Sequence, residues 1–309
     1  MSPVRRSTTV FTAALTALLF ATPSAAQSAG EPGADVGTLI VAHGGGPVWD
    51  ARVEAVAQQV KLPGPVGVSF LMGPGAKSHR FQDAVRELVK RGAREVVVVP
   101  MLVSSHSGHY DQIRYLVGDL DTLDQEMLHH LDMSGIERAD TTVPLRLTRA
   151  MDDAPEIAEV LAERAKGLAA DASKQALFLV GHGPNSAEDY AAWMANLRRV
   201  ADSVSVRSGF RSVLLDLVRD DAPAPVRAEA VSRVRELILL QHELTRQPVV
   251  VVPILVASGR VSTEKLPKDL EGLPIVYTSE GLLPHAEMAR WVESRVRGAA
   301  TTTTIGRVD

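Results

Sequence analysis

Two segments carry side chains able to do metal or acid–base chemistry. His43-Gly44-Gly45-Gly46 ends an apolar run, so an imidazole leaves a rigid element while the glycines let the backbone turn sharply or a ligand approach closely. Ser104-Ser105-His106-Ser107-Gly108-His109-Tyr110-Asp111 gathers two imidazoles, several hydroxyls and a carboxylate. Neutral imidazole binds borderline divalent ions, accepts protons near neutral pH, and is oriented by a neighbouring carboxylate such as Asp111. Read alone, each segment also fits a bland role, a tight turn or a solvated loop. Set at neighbouring strand ends, they argue for His43, His106 and His109 converging in one cleft.

The remaining histidines read as surface: His79 opens a helix, His129-His130 lies between strands, and His242 and His285 fall on helices. His182 repeats the position of His43, but the loop that should answer it is Ser258-Gly259-Arg260-Val261, without a histidine, so the second copy of the pattern reads as catalytically incomplete. The Gly triplet lacks the Lys-Ser/Thr of a P-loop and the spacing of G-x-G-x-x-G, so no nucleotide cofactor is expected. No Gly-x-Ser-x-Gly elbow and no acidic cage of the EF-hand or two-metal type is present.

The elements that must position these residues are written twice. Thr38-Leu39-Ile40-Val41-Ala42 runs into His43-Gly44, and Ala176-Leu177-Phe178-Leu179-Val180 into Gly181-His182-Gly183. Glu95-Val96-Val97-Val98-Val99-Pro100 precedes the histidine loop, and Pro248-Val249-Val250-Val251-Val252-Pro253 stands at the matching place in the second copy. Helix-like segments lead into both, around Asp83–Val89 and Ala230–Leu244, and Ala150–Ala158 matches Leu282–Ala289 as a turn into a closing helix. Continuous rather than alternating Val/Ile/Leu runs imply strands covered on both faces, and their alternation with helices implies parallel pairing. The fold class is therefore α/β, with two tandem three-layer α/β/α domains. In such open sheets ligands sit beyond the carboxyl ends of the strands, where both histidine segments fall.

The rest of the 309 residues bounds the answer. With 33 Lys+Arg against 37 Asp+Glu, a net charge of −4 and 45% hydrophobic residues, the chain can bury sizeable cores and has no broad basic face for nucleic acid. It has no cysteine, which removes thiolate metal sites, disulfides and thiol nucleophiles. Arg5-Arg6, an uncharged apolar run and Ser24-Ala25-Ala26 read as a cleaved signal peptide over 1–26, with a periplasmic or secreted product. The apolar run is shorter than the roughly 20 residues of a membrane span, so no stable membrane anchor is expected. The expected division is a linker at 27–37, domains at 38–168 and 174–298, and a disordered tail at 299–309.

The strand–His43-Gly44 turn, Gly92-Ala93-Arg94-Glu95-Val96-Val97-Val98-Val99-Pro100-Met101-Leu102, the histidine loop after it and the weaker Val180-Gly181-His182-Gly183 copy resemble the class II tetrapyrrole metal chelatases, the CbiX-like sirohydrochlorin cobaltochelatase and ferrochelatase group. The resemblance spans about residues 37 to 298. It implies two chelatase-like domains around a cleft and ATP-independent insertion of a divalent metal, Co²⁺ or Fe²⁺ with Ni²⁺ as a further candidate, into a sirohydrochlorin-type tetrapyrrole. It implies His43 as the first site histidine and His109, or else His106, as the second, with these imidazoles holding metal and accepting protons. Gly44, Gly45 and Ser105 would line the substrate site, and Arg80, Arg114 and Arg260 would meet its carboxylates. A monomer or a homodimer fits the fused pair. An export signal, Met72-Gly73-Pro74-Gly75 in place of the family's acidic segment, and Arg260 in place of a histidine depart from the pattern. They leave a non-catalytic exported metal- or tetrapyrrole-binding protein as the alternative.

Overall fold

A computed structural model describes residues 31–305, with side chains through 299. The expected signal peptide at 1–26 lies outside the described residues. The first unit runs β1 (Val36–Ala42), α1 (Pro47–Gln59), β2 (Val66–Phe70), α2 (Phe81–Lys90), β3 (Glu95–Met101), α3 (Gly108–Val117), α4 (Gln125–Ser134), β4 (Leu145–Leu147) and α5 (Pro155–Leu168). The second runs β5 (Ala176–Gly181), α6 (Ala187–Ser208), β6 (Ser212–Leu217), α7 (Ala224–Thr245), β7 (Val249–Ile254), α8 (Leu266–Asp269), β8 (Ile275–Tyr277) and α9 (Ala286–Ile305). The two sheets have the same order, β2-β1-β3-β4 and β6-β5-β7-β8, and every pairing within them is parallel. Two flanked parallel sheets in tandem are the α/β architecture the repeated strand pattern implies.

The central strands are apolar throughout because both faces are covered: Leu39 to Ala42, Val96 to Val99 and Val249 to Val252 are fully buried. In β1 and β3 the register pairs Ala42 with Met101, so the chain leaves both strands at the same level, and His43 and the histidine loop emerge side by side. β5 and β7 repeat this, with Gly181 opposite Ile254.

The units do not close separately. α5 packs on β7 and α6 of the second unit, while α9 reaches back to β3 and α1 of the first. One core therefore runs through both sheets: Leu177, Leu179, Val250 and Val252 share it with Leu39, Val97 and Trp291, while Phe178, Val180, Val249 and Val251 face a separate layer under α7 with Val234 and Ile238. The alternation follows from the two-residue period of a strand. Polar ties cross the same seam, including Asn196 Nδ2 to Asp152 Oδ1 at 3.2 Å and Arg295 to the Ala150 carbonyl at 2.7 Å.

Two boundaries differ from expectation. β1 already starts at Val36, inside the expected linker, because strand pairing extends as far as Val36 opposite Glu95. The expected tail is helical as far as Ile305 as a continuation of α9; residues 306–309 lie outside the described residues. Among the described residues no helix is long and apolar enough to cross a membrane.

Candidate metal centre

The first histidine is set by a turn that only glycines allow. Met72 N–H donates to the His43 carbonyl at 2.9 Å, prolonging the β1–β2 pairing past the strand. Gly44 then takes φ +89°, and a Cβ there would stand 2.1 Å from the Met72 carbonyl oxygen. A Cβ on Gly45 would stand 2.7 Å from the Trp49 ring, and its N–H donates to Asp50 Oδ1 at 2.9 Å. Close packing thus accounts for both glycines expected to line the substrate site.

The second histidine is set by the start of α3. Ser107 caps this helix, its Oγ accepting from Tyr110 N–H at 3.2 Å, and His109 sits in the first turn. Upstream, Ser105 is tied down: its N–H and Oγ donate to Asp152 at 2.8 and 2.7 Å, and Ala150 N–H donates to its Oγ at 2.9 Å. The structure gives Ser105 a loop-anchoring role.

His43 and His109 meet edge to face, ring centroids 4.5 Å apart at 84°. Each is held by its Nδ1. His43 Nδ1 donates to the Gly44 carbonyl at 2.6 Å. Gln112 Nε2 donates to the Met127 carbonyl at 2.8 Å, so Gln112 Oε1 can only accept, and it accepts from His109 Nδ1 at 2.9 Å. Carbonyl anchors of this kind fix the tautomer of metal-binding imidazoles and leave Nε2 as the donor nitrogen. Burial lowers the His43 pKa, more than the Gly44 carbonyl raises it, with the His182 charge lowering it further. Burial, then the charge of His43, pushes His109 down to about 4. Both rings are neutral at pH 7, the form that ligates a metal.

The other expected residues fall elsewhere. His106 is exposed, and its carbonyl accepts from Trp193 Nε1 of the second unit; the expected convergence of three histidines is a pair, because the cap at Ser107 turns the chain into α3 between His106 and His109. Arg114 pairs with Asp111 on its own helix at 2.9 Å, so Asp111 meets an arginine. Arg80 lies against Gly135 at the end of α4. Arg260 is exposed beside Glu264, next to Gly259, where a Cβ would touch Trp49 of the first unit at 3.7 Å; that places it next to a contact between the units.

Three histidines need correction. His182 is not left without partners: its Nε2 lies 3.0 Å from Asp221 Oδ2 and 3.9 Å from Asp220 Oδ2, and its charge acts on both His43 and His109. The readable clue was the Asp220-Asp221 doublet just past β6, the strand next to β5. His130 is only partly exposed: its Nδ1 is buried without a hydrogen-bond partner, and its charge also reaches the pair. His285 is largely buried, with Nε2 3.1 Å from Glu163 of the exchanged helix α5.

The family model for CbiX matches residues 37–168. The first unit is thus similar in sequence to the CbiX family. SirB from Bacillus subtilis, solved with Fe³⁺, superposes with a TM-score of 0.59 at 16% identity, over 88% of this chain and 98% of SirB. DR2241 from Deinococcus radiodurans, a multi-domain protein with structural similarity to chelatases, superposes with a TM-score of 0.52 at 18% identity, over 85% of this chain and 54% of DR2241. At these identities the likeness is one of fold, and it extends the chelatase architecture over both units. No curated protein sequence matches the chain.

Proposed function

We propose that this protein inserts a divalent metal ion, Co²⁺ or Fe²⁺ with Ni²⁺ as a further candidate, into a sirohydrochlorin-type tetrapyrrole without ATP. The observation that carries the reading is the His43–His109 pair: two half-buried imidazoles in ring contact, each with Nδ1 held by a carbonyl and Nε2 left to bind an ion. The match of residues 37–168 to the CbiX family model supports the reaction class.

Insertion requires a partly desolvated ion on the macrocycle face and removal of two pyrrole N–H protons. Neutral His43 and His109 hold the incoming ion by Nε2. When the ion passes to the pyrrole nitrogens, each freed Nε2 is a proton acceptor within the cleft, and a low pKa makes it release the proton again to water. The chain needs no nucleophile for this exchange. Of the three arginines expected to meet substrate carboxylates, Arg260 has the best support, being exposed and next to Gly259, which approaches Trp49 of the first unit. The first-turn N–H groups of α1 and α3, which begin shortly after β1 and β3, offer further anion contacts. Export is part of the proposal, on the pattern of residues 1–26; mass spectrometry of the secreted or periplasmic protein should find a mature N-terminus at Gln27.

The deciding experiment is an anaerobic absorbance assay with sirohydrochlorin and Co²⁺, Fe²⁺ or Ni²⁺. The expected result is many turnovers, lost in His43→Ala and His109→Ala. A spectral change that saturates at one equivalent would make the protein a carrier on the same scaffold.

A further inference from the structure

The second unit holds a ligand set that the His43–His109 pair does not use. Among the described residues, His182, Asp220 and Asp221 are the one group of three metal-type ligands whose donor atoms all lie within 4.8 Å of one another. They come from two adjacent strand ends: His182 follows β5, Asp220 and Asp221 follow β6, and Asp220 N–H donates to the His182 carbonyl at 3.2 Å, locking the two turns together. His182 Nδ1 donates to the Gly183 carbonyl at 2.7 Å, which leaves Nε2 as a lone-pair donor. Nε2 lies 3.0 Å from a carboxylate oxygen of Asp221, to which it donates a hydrogen bond when the ring is protonated and with which it can share a metal ion when the ring is neutral. Two acceptors face each other across this gap, and only a positive species between them, a proton or a metal ion, makes the contact favourable.

Asp220 is already met by two cations. Its buried carboxylate takes Arg227 Nε at 3.2 Å on one oxygen and Lys265 Nζ at 2.5 Å on the other, the oxygen nearest His182. The Lys265 ammonium thus shares the Asp220 oxygen that lies nearest the His182 imidazole, while the Asp221 carboxylate is exposed. One nitrogen and two carboxylate oxygens suit a borderline first-row divalent ion better than the soft ions thiolates select.

We propose that His182, Asp221 and Asp220 form a second divalent-cation site, separate from His43 and His109, in which the ion sits between His182 Nε2 and Asp221 and takes the Asp220 oxygen from Lys265. This goes beyond the chelatase reading and does not depend on it, since the site binds metal whether or not the protein turns over a tetrapyrrole.

The test is anaerobic titration of the full-length mature protein with Co²⁺ alone, followed by calorimetry and by the visible d–d bands. The expected result is that the His43→Ala/His109→Ala double variant keeps one equivalent of Co²⁺. In that background Asp221→Asn or His182→Gln should weaken binding by about tenfold or more, and Lys265→Met, which removes the competing ammonium, should tighten it several-fold. A double variant that is folded by circular dichroism but binds no Co²⁺ overturns the proposal. So does binding that ignores Asp221→Asn and His182→Gln, which would mean an ion held elsewhere. Because Lys265→Met gains affinity, misfolding cannot imitate the expected outcome, and because no tetrapyrrole is present, a failed insertion assay leaves this result intact.

Discussion

The two units make the same turn and reach opposite electrostatic ends. His43 and His182 each follow the second-in-order strand of an identically ordered sheet, each precede a glycine at positive φ (+89° and +80°), and each donate Nδ1 to that glycine's carbonyl, at 2.6 and 2.7 Å. Yet burial lowers the His43 pKa, while for His182 burial, also its largest single influence, is outweighed by the hydrogen bond and charge of Asp221 together with the Gly183 carbonyl and the Asp220 charge, so its pKa is raised. The turn places an imidazole; whatever lies beyond Nε2 sets its charge. In the first unit that neighbour is a second uncharged ring, and in the second it is a carboxylate. Duplication has kept the geometry and divided the chemistry.

The comparison is broken most sharply by activity. His43→Ala or His109→Ala should cut metal insertion by about a hundredfold or more, with the thermal unfolding midpoint little changed, and the anaerobic absorbance assay measures both the loss and any residue of stoichiometric capture.

Acid stability comes next, and the two units should have slopes of opposite sign. His109 in the fold titrates at about 4 against about 6.5 unfolded. The unfolded chain therefore binds the extra proton first, and stability falls as pH drops from about 6.5 towards 4, by up to about 3 kcal/mol for this one group. His109→Gln should flatten that part of a urea-midpoint against pH curve. His182 runs the other way: its folded pKa is raised, so its contribution is present below the unfolded value and is lost as pH rises through the folded one. Asp221→Asn should bring the His182 titration, followed by NMR, down below about 6.5, the direction of His43.

A smaller contrast lies in the turns themselves. Gly44→Ala would drive a Cβ to 2.1 Å from a backbone oxygen, Gly183→Ala to 2.8 Å from the Leu217 side chain. Both pay for positive φ, at about 1–3 kcal/mol, and Leu217 Cβ moves only with its own backbone, but the overlap at Gly44 is the deeper of the two, so denaturant midpoints should rank Gly44→Ala as the worse. Smallest of all, Arg260→Ala should change stability by less than about 0.5 kcal/mol, since its pair with Glu264 is exposed; an effect confined to KM for the tetrapyrrole would support its proposed contact with substrate.

Much of the frame was readable in the sequence because β1, β3, β5 and β7 are continuous runs of large apolar residues, a pattern that only doubly covered strands sustain. Val66-Gly67-Val68-Ser69-Phe70 mixes small and polar residues, and β4 and β8 have three residues each, so these flanking strands gave no comparable signal. His43 and His109 were legible as strand-end imidazoles near glycines. The difference between His106 and His109 was not, because it depends on where Ser107 starts a helix and on Gln112, a buried amide whose own partner lies on α4. The His182 cluster was hidden for a different reason: its carboxylates arrive from the neighbouring strand, where sequence distance says nothing about proximity. Nor could periodicity show that α5 and α9 change places, since an amphipathic helix does not specify which sheet it covers.

That exchange has a consequence for how the chain comes into being. The sheet that carries His43 and His109 is closed on one side by α9, which begins only at Ala286. While the nascent chain emerges, the first half must wait with that apolar face uncovered until residues 286–305 have been made, so the first unit folds after the second has been synthesised rather than before it. A chain ended before Ala286 should retain helices yet bind a hydrophobic dye and be cut quickly by protease, and adding residues 286–305 as a separate peptide should reverse both.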